Sequence, residues 1–337
     1  MGDRGEISNL QKNKKQPKRK IIIMGKSNSG KTSIFSVIFT HIYPIETFLF
    51  EHTNSISLNK ILFSGGESIE LNDCGGEEKY IQDYLTTKKD IFKNVLSFIF
   101  VINAENQKLI IDSQNQKNDP SKIALNPNND IDFLQQCISL LNKSSPFATI
   151  FILMNKMDKI SMRSRKLIFE KKKQEIMEKM QKIENFNSKN KIKFYGTSIW
   201  DDSLYVPWKE IMSDRVIKNT KIQKGLKFLL EACDADEIFL IEKNTFLCIE
   251  SVDNGKNEQN EERMKKISFL IKKFKQTLWK NKADFSCIKI KMNNIMVYFE
   301  EFMKYSYIMI INQRPKINCA FVSMNVSLLK QKFTKSK

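Results

Sequence analysis

Gly25, Lys26, Ser27, Asn28, Ser29, Gly30, Lys31 and Thr32, followed by Ser33, spell G-x-x-x-x-G-K-T. Its chemistry is the cradling of a nucleoside triphosphate. Glycines let backbone N–H groups approach a β-phosphate without a Cβ in the way, and a helix N-terminus adds unpaired donors and a positive dipole end. Lys31 reaches the β- and γ-phosphates as a point charge, and the Thr32 hydroxyl ligates Mg²⁺. The bland alternative is a chance glycine turn ahead of a helix, which is scarce in a chain with 11 glycines among 337 residues.

Downstream, Ser68-Ile69-Glu70-Leu71-Asn72-Asp73 reads as a short strand ending in a carboxylate, followed by Cys74-Gly75-Gly76-Glu77. Asp73 would hold a water of the Mg²⁺ shell, and Gly76 would let a backbone N–H turn toward the γ-phosphate. Asn155-Lys156-Met157-Asp158 is more specific. The Asp158 carboxylate accepts two hydrogen bonds and so matches the adjacent N1–H and 2-amino donors of guanine, which adenine lacks. In Thr197-Ser198-Ile199-Trp200, a backbone N–H near Ser198 and Ile199 can meet the guanine O6. In this order the motifs define a small GTP-binding protein; an unrelated P-loop ATPase or a nucleotide kinase is the competing class.

These residues need strands that aim them and helices that follow. Apolar runs at residues 21–24, 97–102 and 149–154 read as buried strands, and Trp208, Ile211 and Val216 mark a helix that ends the first domain near residue 220. Beyond it the pattern is a helix over 222–231 and a hairpin of 237–241 with 245–249 around a turn at 242–244. A helix follows, with Met264, Ile267, Ile271, Phe274 and Leu278 on one stripe, then strands near 285–290, 295–299 and 306–311 and a helix over 321–332. The fold class is therefore α/β: a P-loop G domain, mostly parallel sheet with helices on both faces, followed by an α+β domain with no catalytic constellation. The second half is assigned to assembly, against a merely stabilising appendage.

The motifs resemble one family closely, the Rag GTPases of the A/B subfamily. The resemblance rests on Met24-Gly25-Lys26-Ser27-x-Ser29-Gly30-Lys31-Thr32-Ser33, Asp73-Cys74-Gly75-Gly76, Lys156-Met157-Asp158 and Thr197-Ser198-Ile199-Trp200-Asp201. It continues through Ala235-Asp236-Glu237-Ile238 and Thr245-Phe246-Leu247, and covers about residues 19 to 312. It implies that Thr53 is the Mg²⁺- and γ-phosphate-sensing threonine of the first switch. It also implies that residues 221–337 form a roadblock-type domain pairing with a Rag C/D-type subunit as a heterodimer. The protein would then be cytoplasmic, recruited by a scaffold to the lysosomal or vacuolar membrane, where it signals amino-acid availability to the TOR kinase complex. Site assignments are then Glu77, Gly76 and Thr53 for catalysis and Thr32, Thr53 and Asp73 for Mg²⁺. Residues 25–33 with Asn155, Lys156, Asp158, Ser198 and Ile199 hold GTP or GDP.

The chain departs from this pattern at Glu77, where related G proteins carry glutamine. A glutamine amide both accepts from the attacking water and donates to phosphate, whereas an ionised glutamate only accepts and adds like charge. A hydrolysis-deficient, GTP-loaded scaffold is therefore the alternative reading. None of the seven arginines lies between residues 45 and 85, so an arginine finger comes from a GTPase-activating partner. Residues 103–130, rich in Asn, Gln, Lys and Asp with Pro120 and Pro127, read as a disordered surface insertion, with a docking loop as the alternative.

The net charge of +18 admits a nucleic-acid partner. The lysines, however, are spread along the chain among asparagines and isoleucines, which reads as compositional bias. One basic block, residues 1–18 extending to Lys20, reads as a flexible arm that could touch acidic lipid or protein. No run approaches the 18 or more apolar residues of a transmembrane helix, and Glu6 stands where a myristoylation motif needs Ser or Thr. The six cysteines, at least 15 residues apart, form no metal-spaced pair and fit reduced cytosolic thiols. His41 and His52 read as solvent or packing residues.

Overall fold

The computed structural model describes residues 19–40, 42–51, 53, 56–62, 68–105, 130–181, 183, 191–216, 220–243, 245–255, 271, 273, 274, 276, 277, 285–291, 293, 295–313 and 318–334. The arm at 1–18, nearly all of the 103–130 segment and the positions of His41, His52, Met264, Ile267 and Leu278 lie outside the described residues.

The first half is built on six strands, β1 (Arg19–Met24), β2 (Ser57–Leu62), β3 (Ser68–Asp73), β4 (Val95–Asn103), β5 (Thr149–Asn155) and β6 (Ile192–Gly196), in the order β2-β3-β1-β4-β5-β6. All neighbours are parallel except β2, which runs antiparallel to β3. Parallel strands are covered on both faces, which is why β4 and β5 are near-continuous apolar runs. Alternate residues divide between two cores. Ile21, Ile23, Ile99, Val101 and Phe151 pack with Ile34 and Ile38 of α1 (Lys31–Phe39) and Trp208 and Ile211 of α5 (Tyr205–Val216). Ile22, Phe98, Phe100 and Ile150 pack on the other face with α2 (Glu78–Thr86), α3 (Asp130–Ser144) and α4 (Met162–Met180).

The second half starts with α6 (Thr220–Ala232) and ends with α7 (Cys319–Thr334). Between them lie β7 (Glu237–Glu242), β8 (Cys248–Asp253), β9 (Cys287–Lys291), β10 (Met296–Met303) and β11 (Ser306–Asn312), in the antiparallel order β8-β7-β11-β10-β9. Ile238, Leu240, Ile308 and Ile310 face α6 and α7, packing on Leu226, Leu229, Val322 and Val326. Phe239, Ile241, Phe299, Tyr307 and Met309 face the other way, where Phe285 and Ile271 join them. Residues 271, 273, 274, 276 and 277 are helical, matching the expected stripe over its described part.

Two elements differ from expectation. Strand β2 carries Ser57, Asn59 and Lys60 in a short polar pattern that marks no buried strand, and it sits at the sheet edge. The second hairpin strand begins at Cys248 rather than Thr245. Glu242 accepts hydrogen bonds from Thr245 N–H (2.6 Å) and Thr245 Oγ1 (2.7 Å), and Phe246 takes φ 58°, so the chain turns at Thr245 and Phe246 despite its apolar character. That turn delivers Leu247 into the core around Trp208, tying the second sheet to the first half.

Candidate functional site

The carboxyl ends of β1, β3, β5 and β6 lie on one side of the sheet, and their loops enclose a cleft. Parallel doubly wound sheets bind ligands there. It is lined by Ser27, Asn28, Gly30, Lys31, Thr32, Ser33, Thr53, Gly76, Glu77, Asn155, Lys156, Asp158 and Ile199, among others. Gly30 has φ 94°, and a Cβ there would stand 2.4 Å from Asn155 Nδ2, so both its conformation and its space demand glycine.

At the metal end, Thr32 Oγ1 donates to Asp73 Oδ2 at 2.8 Å. Because that proton is committed, the 2.8 Å contact between Thr32 and Thr53 has Thr53 as the donor. The expected Mg²⁺ set is thus one chain of three oxygens from α1, β3 and the first switch. Asp73 Oδ1 is buried without a hydrogen-bond partner among the described residues. Burial pushes the Asp73 carboxyl above its usual range, opposed by Thr32 and Lys31. A hard divalent cation suits this all-oxygen donor set.

At the phosphate end, Lys31 is 5% exposed and burial pushes its ammonium down to about 8, opposed by Asp73. Its Nζ donates to Lys26 O at 2.8 Å and reaches Ser29 Oγ at 3.5 Å. Gly76 presents its carbonyl to this loop, accepting from Ser27 N–H at 2.8 Å, so in this conformation its C=O and not its N–H meets the cradle. A Cβ at Gly76 would lie 2.5 Å from both Lys31 Nζ and Ser27 N. Asp130, at the start of α3, is a further carboxylate that the motifs do not mark. Burial raises its carboxyl, opposed by Lys26, Lys172 and Lys31.

At the base end, Asn155 Nδ2 donates to Ser29 O at 2.9 Å, and Lys156, with φ 63°, donates from Nζ to Asn28 Oδ1 at 3.1 Å. These two residues tie the base loop to the phosphate loop. Ser198 Oγ donates to Asp158 Oδ1 at 2.7 Å, orienting the carboxylate, while Ser198 N–H is committed to Ser203 Oγ at 2.9 Å. Of the expected O6 donors, Ser198 therefore positions Asp158.

Glu77 sits just before α2, and its carboxylate pairs with Lys79 Nζ at 3.2 Å. Among the described residues no arginine lines the cleft, and no group of three or more His, Cys, Asp or Glu side chains is placed to hold a metal. Phe48 and Trp200 also line it. The sequence assigns them no role, although Phe48 lies five residues before Thr53 and Trp200 two after Ser198.

Residues 20–271 match the Gtr1/RagA G protein conserved region. The chain is 32% identical to Ras-related GTP-binding protein A of Dictyostelium discoideum, covering 94% of this chain and 97% of that one. It is 28% identical to Ras-related GTP-binding protein B of Rattus norvegicus, covering 94% and 86%. GTP-binding protein GTR1 of Saccharomyces cerevisiae is 32% identical, covering 83% and 87%. By this match over residues 20–271 and by relatives covered over most of their length, the chain belongs to the Gtr1/RagA family of G proteins and is a guanine-nucleotide-binding GTPase.

Proposed function

We propose that the protein is a Rag-type molecular switch. GTP with Mg²⁺ holds the segments around Thr53 and Gly76 in one arrangement, and hydrolysis or exchange releases them. The observation that carries this reading is the hydrogen-bonded chain Thr53–Thr32–Asp73, because it links the first switch to the phosphate loop through the atoms a cation would join. Thr32, Thr53 and Asp73 would hold the ion, which neutralises charge developing between the β- and γ-phosphates. Lys31 and the 25–33 backbone bind the phosphates, and Asp158 selects guanine. Ile199 N–H is the remaining candidate for O6.

In this reading residues 19–220 form the G domain and 221–337 a roadblock-type domain that pairs with a Rag C/D-type subunit. Strand β9 stands at the edge of its sheet with Ile290 42% exposed, which supports a pairing role. The heterodimer is held by a scaffold at the lysosomal or vacuolar surface and reports amino-acid supply to the TOR kinase complex. No described helix is long and apolar enough to cross a membrane. An activating protein supplies the arginine finger.

Glu77, whose ionised carboxylate can accept a hydrogen bond but not donate one, motivates a second reading, a GTP-loaded scaffold that hydrolyses slowly. Mass spectrometry of the purified protein, identifying bound nucleotide and co-purifying subunit together, tests the first reading. A purified chain carrying neither guanine nucleotide nor a second G protein would reject it. Residues 1–220 alone should bind GTP and sediment as a monomer, and equal partner binding by that fragment would move the pairing surface into the G domain.

A further inference from the structure

The open side of the cleft carries a contact that belongs to none of the phosphate, metal or base-reading sets. The 3-10 turn Pro44–Leu49 bears Phe48, and the loop after β6 bears Trp200. Both side chains line the same cleft as Lys31, Thr32 and Asp158. Their ring centroids are 5.9 Å apart with planes tilted by 38°, within the range where aromatic pairs attract. Phe48 is 68% exposed and Trp200 42% exposed, so neither ring is held in place as part of a core.

Each residue is tied through its backbone to a working part of the site. The Trp200 backbone N–H donates to Ser198 Oγ at 3.1 Å, and that hydroxyl donates to Asp158 at 2.7 Å, which places the backbone at Trp200 beside the carboxylate assigned to the base. Phe48 lies on the segment that leads to Thr53, and Thr53 contacts Thr32 at the metal end. Thr47, Phe48, Phe50, Glu51 and Thr53 therefore line the cleft between its base end and its metal end.

We propose that Phe48 and Trp200 form an aromatic clasp over the ribose–base half of a bound guanine nucleotide, so that the nucleotide leaves only after the two rings part. This rests on reading the cleft as the guanine-nucleotide site and adds a determinant of residence time to it. Segment opening gates release in many enzymes, and differences among related complexes fall mostly in the dissociation rate. Because Phe48 and Thr53 share one segment, parting of the clasp also loosens the first switch from the metal end.

The test is release of tritiated GDP from the full-length chain into excess unlabelled GDP with Mg²⁺ present, read by filter binding so that loss of a tryptophan leaves the signal unchanged. Phe48→Ala and Trp200→Ala should each speed release about five- to tenfold. The double variant should be no more than about twofold faster than either single one, since the ring–ring contact is already lost in each single variant. Phe48→Tyr, which keeps the ring, should release at the wild-type rate, and Trp200→Phe covers the case in which the alanine variant melts early. Unchanged release in either alanine variant, or fully additive acceleration in the double, overturns the clasp. A wild-type chain that retains no labelled GDP would instead reject the cleft as the nucleotide site.

Discussion

The two sheets bury similar polar groups and use them differently. In the second half, the Glu242 carboxylate binds Thr245 three residues away, Asp236 accepts from Asn254 Nδ2 (2.8 Å) and Gln313 N–H (2.6 Å), and Asn312 Nδ2 donates to Asp234 O (2.7 Å). Each of these bonds closes a turn or a strand end of its own sheet. In the first half, Asp73, Asn155 and Ser198 are as deeply buried, but they bond Thr32, Ser29 and Asp158 of other loops, and Asp73 Oδ1 has no partner among the described residues. Antiparallel hairpins end in turns that satisfy themselves, while parallel strands end together and bring separate loops face to face. The same side chains therefore stabilise one region and leave binding capacity in the other.

The largest effect should come from breaking the cleft's charge. Lys31→Ala or Thr32→Asn removes a phosphate or Mg²⁺ contact that nothing nearby replaces, and should weaken GTP binding by about a hundredfold or more, given about 1.5–3 kcal/mol for each charge-assisted hydrogen bond. Wild-type affinity in both variants, by equilibrium titration, would remove the phosphate loop from the site. Asp158→Asn should turn preference from GTP to XTP by about a hundredfold, because the amide offers a donor where the carboxylate had only acceptors. Retained GTP preference would mean that another group reads the base. Glu242→Ala sharpens the contrast from the other side. It leaves Thr245 N–H without its acceptor and should destabilise the chain by about 1–3 kcal/mol while GTP affinity stays unchanged. A denaturant melt beside the same titration separates the two, and a drop in affinity would show that the turn carrying Leu247 also shapes the cleft.

Much of this division was legible in the residues. Continuous apolar runs mark β1, β4 and β5, because strands buried on both faces need them. The glycines, Lys31, Thr32, Asp73 and Asp158 are legible because their chemistry tolerates few substitutes at fixed spacing. Polar β2 was not, since an edge strand needs no apolar signature, nor was the start of β8, where Glu242 overrides an apolar run with a turn. Side-chain partners are the least legible of all. That Ser198 N–H goes to Ser203, or that Lys156 reaches Asn28, depends on loops 126 or more residues apart meeting across the sheet in the second case and on a five-residue turn in the first.

The smallest effect, and the one that most directly divides the two functional readings, concerns Glu77. Its carboxylate is paired with Lys79, whose ammonium is raised above its usual value by that hydrogen bond. This geometry turns the negative charge along α2 and lessens its repulsion of a γ-phosphate. Glu77→Gln should raise turnover measured with an activating protein in trans by about fivefold, because an amide can accept from water and donate to phosphate at once. The modest size follows from the arginine finger, whose contribution of about 10³–10⁵ dominates the rate. Lys79→Ala makes the complementary measurement: it frees the carboxylate and should lower turnover in the wild-type background while leaving the Gln variant unaffected. If the stimulated rate of Glu77→Gln equals that of the parent chain, this side chain does not orient the water, and the activating protein brings the catalytic geometry with it.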